Sequence, residues 1–384
     1  MMTDFNDLFI FEMANNHEGD TEHGLRIIRE FGDLARNENI RAAIKFQFRD
    51  LDSFIHADYG FRGQVKHVER FTRTKLSAED FKTLLDEVKG QGLIAACTPF
   101  DEVSVDRILE LGFDFVKVGS CSATDLPLLE KIADAGLPVI ASTAGLDLAQ
   151  IKNLVRILGH RGTPLALMHC VALYPTPVEA LALNQIDVLR ETFPGLTVGF
   201  SSHESPDHRS AVQIAYAKGA RIFERHVGIT TDRFKLNSYS GTPEQTRNWI
   251  HAYKEAVASC DTSKRNSPAE LESLRSLMRG VYVSRDIGKG SKIEAESKFF
   301  AMPLLPGQLA SYDWHEGLTA DQDYSKNSFL PEALRRPNLL TADEILIQAR
   351  ELLKRAGLTA GPGLFEVSHH YGIERFNETG AVFV

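Results

Sequence analysis

The sequence predicts a closed (β/α)₈ TIM barrel, an α/β fold of eight parallel strands each followed by a helix, with a small β-rich domain and a tail after it. Short apolar runs rich in Val, Ile and Phe alternate with longer stretches whose apolar residues fall at helical spacing. Eight such pairs fit into roughly 260 residues, the usual size of this barrel. An open doubly wound sheet is the alternative, but no G-x-G-x-x-G segment follows the first strand.

The predicted strands are short, and the stretches between them are long enough for helices. The strands lie at 8–14, 42–48, 93–97, 114–118, 138–142, 165–170, 197–201 and 221–226. The helices lie at 21–36, 77–90, 101–111, 125–135, 147–159, 184–193, 207–218 and 243–259. Ser77 with Asp80 three residues later forms a capping-box pattern, and Gly112 and Gly136 stand where helices should stop.

The composition of the chain changes after the last predicted barrel helix. Residues 1–262 are the predicted catalytic barrel, and the polar stretch 263–275 indicates a linker. Residues 276–333 contain short β runs broken by Gly and Pro, which predicts a small β-rich domain. Residues 334–384 are a predicted tail with one amphipathic helix.

Charge and composition argue against several classes of protein. The formal net charge of −9 disfavours binding to nucleic acid or to anionic membranes, because both need a basic surface. No apolar segment reaches the roughly 20 residues of a membrane helix, and the N-terminus lacks the pattern of a secretory signal. The four cysteines form no C-x-x-C pair. We therefore expect a protein of the reducing cytoplasm.

Polar side chains stand at or near the carboxyl end of every predicted strand. Reactive groups gather at that end in barrels of this kind. One polar strand end is unremarkable, but eight at one face predict a site. In strand order these residues are Glu12; Lys45 and Gln47; Thr98; Lys117 and Ser120; Ser142 and Thr143; His169; Ser201 and His203; and Glu224 and His226.

Lys45 and Lys117 lie in strands otherwise rich in Ile, Phe and Val. A buried, unpaired ammonium is costly, so each lysine needs a partner. One alternative is a structural ion pair with Glu12 or Glu224. The other, which we favour, is a small polyanion with a carboxylate and a phosphate, for which hydroxyl donors come from Thr98, Ser120, Ser142 and Ser201.

His203 and His226 end two strands that are neighbours in the predicted barrel, which would place both imidazoles on one side of its mouth. Two His with a nearby carboxylate suit Mn²⁺, Zn²⁺ or Fe²⁺. A single His on a buried strand is more often structural, and we assign His169 to that class.

The segments that contain these residues resemble one protein family. FEMANNHEGD, IKFQ, CTPFDEVSVDRILELGFDFVKVGS, PLLEKIADAGLPVIASTAG, HCVALYPTP, GFSSHE and IFERHV are similar, in this order, to the signature segments of the N-acetylneuraminate (sialic acid) synthase family. RGVYVSRDIGKGSKI resembles the start of the antifreeze-like (SAF-type) domain that follows the barrel in that family. The tail resembles the segment that leads into a cupin-type domain in longer relatives, so we expect a shortened form.

The resemblance implies an enzyme that condenses phosphoenolpyruvate with a sugar aldehyde, an N-acylated amino hexose, and releases phosphate to form a nonulosonic acid. It also implies a homodimer and a divalent metal at His203 and His226, usually Mn²⁺, with Mg²⁺ or Co²⁺ as alternatives. Glu12 would lie beside the reacting carbons, and Lys45 and Lys117 would help the phosphate leave. The remaining residues assigned to substrate binding are Gln47, Thr98, Ser120, Ser142, Tyr174, Ser201 and Asn237.

Three positions depart from the family pattern. Ser122 stands where the family usually has the Glu of G-S-x-E, and Ala172 replaces an Asn that commonly helps to hold phosphoenolpyruvate. Met302 replaces the Arg of K-R-P-G, which would reach the acceptor in a partner subunit. Losing the Glu and Arg partners costs about 1–3 kcal/mol each in discrimination. We therefore expect an acceptor other than N-acetylmannosamine, such as a 6-deoxy diacetamido hexose.

Two other functions remain open. A phosphorylated aldose acceptor, as in the 3-deoxy-octulosonate and 3-deoxy-heptulosonate phosphate synthases, would need additional Arg or Lys on the outer loops. The basic stretch 61–75 (FRGQVKHVERFTRTK), interpreted as a loop, offers them. A non-catalytic sugar-binding relative would be free to lose the polar strand ends, yet Glu12, both lysines and both histidines are present.

Overall fold

The apolar runs form a closed barrel of eight parallel strands in sequence order, in which the first strand also pairs with the last. The computed structural model describes residues 4–59, 66–260 and 263–335. Opposite Glu12 in the register lie Lys45 on the second strand and His226 on the eighth. The strands are β1 (Leu8–Glu12), β2 (Arg41–Phe48), β3 (Ile94–Pro99), β4 (Phe115–Val118), β5 (Val139–Ser142), β6 (Leu165–Cys170), β7 (Thr197–Ser202) and β8 (Ile222–His226).

Helices follow the strands, and several begin and end at the predicted signals. Ser77 and Asp80 form the predicted capping box, in which each side chain accepts a hydrogen bond from the other residue's backbone amide. Gly112 follows a helix in the left-handed conformation that Gly adopts easily. The helices are α1 (Thr21–Asn37), α2 (Leu51–Phe54), α3 (Lys66–Arg73), α4 (Ala78–Gly90), α5 (Glu102–Leu111), α6 (Leu126–Ala135), α7 (Leu148–Gly159), α8 (Gln185–Thr192), α9 (Ser210–Ala217) and α10 (Pro243–Ser259).

Two apolar layers hold the barrel together. Between strands and helices, Phe9 packs edge-on against Trp249, which is fully buried. Inside the barrel, Leu8 and Ile10 belong to a separate buried cluster near the amino ends of the strands. Gly199 is required there, because a Cβ at this position would lie 2.6 Å from Ile222 Cβ. Since strand side chains alternate, the inward positions after this apolar layer are the polar strand ends.

The fold class predicted from sequence is confirmed, and all eight strands lie within two residues of their predicted bounds. The interpretation of 61–75 as a loop is wrong for the described part of that stretch, because α3 covers Lys66–Arg73. α3 has only two apolar side chains, Val68 and Phe71, which is too few to produce a recognisable helical pattern. The short α2 also lies outside the predicted helices.

The chain divides into two compact units after Thr262. The second unit begins with α11 (Pro268–Leu277), a helix that occupies most of the stretch 263–275 predicted as a linker and extends two residues past it. The unit also contains an antiparallel pair, β9 (Gly280–Val283) and β10 (Lys298–Ala301). Its apolar core includes Val281, Leu309 and Leu330. The predicted tail helix lies outside the described residues. Within the described ranges, no helix is both long and apolar enough to cross a bilayer.

Candidate active site

The carboxyl ends of the barrel strands surround a cavity of about 980 Å³. Its volume is at the upper end of the range for small-molecule sites, so it has room for two small reactants. All twelve residues predicted for the site line it. They are Glu12, Lys45, Gln47, Thr98, Lys117, Ser120, Ser142, Tyr174, Ser201, His203, His226 and Asn237.

The two buried lysines share a carboxylate at the bottom of this cavity. Lys45 pairs with Glu12, and its Nζ also lies 3.6 Å from Glu224 Oε1. Lys117 Nζ lies 3.6 Å from Glu224 Oε2 and donates to the Ser142 hydroxyl. The ion-pair alternative is therefore confirmed. Both ammonium groups also line the open cavity, so an anion can still reach them.

Burial and the neighbouring charges together set the pKa values of Lys45 and Glu224 in this cluster. Burial lowers the pKa of Lys45 to about 8, and the neighbouring Lys117 acts in the same direction, against the opposing charge of Glu224. Burial alone would raise the pKa of the Glu224 carboxyl, but the charges of Lys117 and Lys45 outweigh it and lower that pKa below its usual value. At neutral pH the site thus presents the Lys45 ammonium group toward the cavity.

His203 and His226 lie side by side, with ring centroids 5.4 Å apart. The Val171 carbonyl accepts from His203 Nδ1 at 2.9 Å, which leaves the Nε2 lone pair for a ligand. Burial lowers the pKa of both imidazoles, and His203 further lowers that of His226. Both rings are therefore neutral, as metal ligands must be. Among the described residues, no group of three or more His, Cys, Asp or Glu is placed to bind a metal ion.

Loops after the strands position the remaining predicted residues. The Ser120 hydroxyl accepts from the Ala144 amide at 3.1 Å. The Tyr174 ring lies 4.4 Å from the His203 ring between centroids. Asn237 Oδ1 accepts from the Tyr239 amide at 3.1 Å. These contacts orient a hydroxyl, a phenol and an amide around the cavity.

Two polar strand ends have structural partners instead. His169 Nε2 bonds the Leu181 carbonyl at 2.8 Å, as expected for a structural histidine. Thr143 Oγ1 donates to the Met168 carbonyl at 3.0 Å. Of the positions that depart from the family pattern, Ala172 lines the cavity, while Ser122 is buried outside the lining. Met302 lies in the second unit and is exposed.

Arg49, which lines the cavity, is absent from the sequence-based site, and Glu224 was predicted at a strand end but given no catalytic or binding role. Strand periodicity contains a signal for both. Arg49 continues the series of Lys45 and Gln47 at intervals of two, and Glu224 stands two residues before His226. Glu224, however, pairs with lysines on distant segments, and Arg49 stacks on phenyl rings of distant segments, which a local pattern cannot reveal.

Comparisons with known proteins place these residues in a family context. A model described as the NeuB family matches residues 37–264. The crystal structure of a spore coat polysaccharide biosynthesis protein E from Chromobacterium violaceum is 42% identical, with a TM-score of 0.80, and covers 86% of this chain and 100% of that chain. An N-acetylneuraminate-9-phosphate synthase of Drosophila melanogaster is 27% identical, over 74% of this chain and 84% of its own length. An N,N'-diacetyllegionaminic acid synthase of Legionella pneumophila is 26% identical, over 79% of this chain and 88% of its own.

Proposed function

Because the chain belongs to the NeuB family of nonulosonic acid synthases, we propose that it condenses phosphoenolpyruvate with an N-acylated amino hexose in its aldehyde form and releases phosphate. The observation that supports this most directly is the pair of buried lysines at the bottom of the cavity, surrounded by hydroxyl groups. Charge-assisted donors of this kind suit a ligand with one carboxylate and one phosphate. The relatives named for N-acetylneuraminate-9-phosphate and diacetyllegionaminic acid support an N-acylated sugar acceptor.

In this proposal, Lys45 and Lys117 bind phosphoenolpyruvate together with the hydroxyls of Thr98, Ser142 and Ser201. Thr98 and Ser142 already accept from the two ammonium groups. A bound anion would take over part of the charge that Glu12 and Glu224 now balance. Ser120 would add a further hydroxyl.

The reaction then forms one carbon–carbon bond, and at C2 it replaces the carbon–oxygen bond to phosphate by a bond to the oxygen of water. C3 of phosphoenolpyruvate attacks the aldehyde carbon, whose oxygen takes up a proton, and C2 is left with positive charge. Water adds to C2, and phosphate departs as the ketone forms. Glu12 is our candidate for stabilising that charge and orienting the water, because its carboxylate lies between Lys45 and the Gln47 amide, which donates to it at 3.2 Å.

We also propose that His203 and His226 hold a divalent metal ion, with Mn²⁺ as first candidate. Two adjacent neutral imidazoles fit such an ion, and water or substrate oxygens would complete its coordination. When bound, the ion would supply Lewis-acid polarisation of the aldehyde oxygen. The homodimer, the SAF-type domain and the cytoplasmic location stay predictions.

The test is release of phosphate from phosphoenolpyruvate with a panel of aldoses in the presence of Mn²⁺. We expect release only with N-acylated amino hexoses, in equal amount to the nonulosonic acid formed. Lys117→Met should abolish it. Lys131→Met, which removes an exposed partner of Asp106 on the barrel surface, should retain it. Failure of every N-acylated amino hexose to consume phosphoenolpyruvate would contradict the proposal.

A further inference from the structure

The side chain of Arg49 is held in an unusual way at the mouth of the cavity. It follows the end of β2, and its guanidinium carbon lies 3.9 Å from the centroid of the Phe71 ring and 3.6 Å from that of Phe100. Two phenyl rings therefore clamp one planar cation. Such stacking orients the guanidinium but leaves its edge available to a ligand.

The hydrogen bonds of Arg49 connect it to the reaction centre. Its Nη2 donates to Gln47 Oε1 at 3.0 Å, and Gln47 Nε2 donates in turn to Glu12 Oε1 at 3.2 Å. Arg49 lies two residues beyond Gln47, or about 7 Å farther along the strand direction. A sugar whose aldehyde lies near Glu12 would thus extend toward Arg49.

The basic side chains around the cavity differ in how they are paired. The lysines Lys45 and Lys117 pair with carboxylates, and Arg73 pairs with Glu18 at 2.8 Å. Within the described ranges, Arg49 and Arg70 have no carboxylate within 4.0 Å, although both line the cavity.

The charge of Asp101 raises the pKa of Arg49, but in the described part of the chain the two side chains form no ion pair. The carboxylate oxygens of Asp101 accept from the backbone amides of Asp50 and Ser104. The Nε of Arg49 is buried without a hydrogen-bond partner in the described part of the chain. Burial lowers the pKa of Arg49 to about 10. Repulsion by the positive charge of Arg70 acts in the same direction. With a pKa of about 10, Arg49 still remains charged at neutral pH.

We propose that Arg49 and Arg70 form a second anion subsite, which binds a phosphate or carboxylate at the end of the acceptor sugar remote from its aldehyde. This inference rests on the proposed condensation and specifies its acceptor class. It favours a charged acceptor over the deoxygenated hexose expected from Ser122 and Met302. Anion binding would relieve the repulsion between the two arginines and satisfy the free guanidinium edge.

The test compares charged and uncharged acceptors at saturating phosphoenolpyruvate. The uncharged pair is N-acetylmannosamine and a 6-deoxy diacetamido hexose. The charged pair is N-acetylmannosamine 6-phosphate and the matching 6-carboxylate, so the preferred member identifies the anion. We expect kcat/KM to be at least about tenfold higher for a charged acceptor, because hydrogen bonds between charged groups are worth about 10- to 100-fold.

Substitutions of the two arginines test whether they cause the preference for a charged acceptor. Arg49→Gln and Arg70→Gln should each lower kcat/KM for the charged acceptor by about 10- to 100-fold. Arg70→Gln should change that for the uncharged acceptor, and the KM for phosphoenolpyruvate, by less than about threefold. Arg73→Gln, on the same helix as Arg70 but paired with Glu18, is the matched control and should behave as wild type. Arg70→Gln remains informative if loss of the clamped Arg49 prevents folding.

Three results would overturn the inference: an uncharged acceptor used at least as well as both charged ones, equal losses for both acceptor classes in Arg70→Gln, or a rise in the KM for phosphoenolpyruvate alone in that variant. If no acceptor consumes phosphoenolpyruvate, the proposed function fails, but a measurement of acceptor binding still tests the anion subsite. Calorimetry should then show N-acetylmannosamine 6-phosphate binding at least about tenfold more tightly than N-acetylmannosamine, with the difference lost in Arg70→Gln. Equal affinities would overturn the subsite.

Discussion

Replacing Glu224 by Gln should destabilise the barrel more than any exposed carboxylate-to-amide change. The carboxylate lies 3.6 Å from both Lys45 Nζ and Lys117 Nζ, and all three side chains are at most 5% exposed. At an effective dielectric constant of about 20, one such contact is worth about 5 kcal/mol before desolvation is subtracted. Glu224→Gln keeps the shape of the side chain and removes only its charge.

The expected loss of stability depends on whether the lysines stay charged without Glu224 or become neutral. Breaking a buried ion pair by removing one partner costs about 3–5 kcal/mol. The loss is limited because a lysine can fold in its neutral form, which at pH 7 costs about 5 kcal/mol relative to the unfolded chain. We therefore expect the free energy of unfolding to fall by about 3–5 kcal/mol.

Urea unfolding followed by far-UV circular dichroism measures this loss. Glu30→Gln is the matched control, because it removes an exposed partner of Arg26 and should cost at most about 1 kcal/mol. If Glu224→Gln were as mild as Glu30→Gln, the lysines would be stabilised by something other than this carboxylate, and the reasoning would be refuted.

Three further predictions concern the cavity and its first loop. Ser142→Ala removes the hydroxyl that Lys117 contacts and should weaken phosphoenolpyruvate binding by about 10- to 100-fold in titration calorimetry. His203→Ala or His226→Ala should abolish the turnover that added Mn²⁺ restores after chelation, while circular dichroism stays native; full activity in chelator would contradict the metal site. Burial lowers the pKa of His17 to about 4, below its unfolded value, so its neutral form stabilises the fold above about pH 6.5 and this contribution is lost as the pH falls toward 4. Between pH 7 and pH 5, wild type should lose about 2 kcal/mol more stability than His17→Asn in denaturant titrations.

Much of the site was predictable because strand alternation and strand ends are local properties. Lys45 and Gln47 alternate with apolar residues on β2, and Ser201 and His203 stand two residues apart at the end of β7. Once a parallel barrel is inferred, all such ends must share one face. The adjacency of His203 and His226 follows from the same rule and is observed.

The sequence by itself determined the barrel, its strand bounds and the set of polar strand ends, since each depends on periods of two or 3.6 residues. Only the tertiary structure decided which charges meet. Glu224 lies between Lys45 and Lys117 because barrel closure brings β2, β4 and β8 to one centre. Arg49 is clamped because the polar helix α3, invisible to apolar periodicity, places Phe71 against it. Such contacts join segments far apart in the chain, and their geometry is set by packing rather than by local pattern.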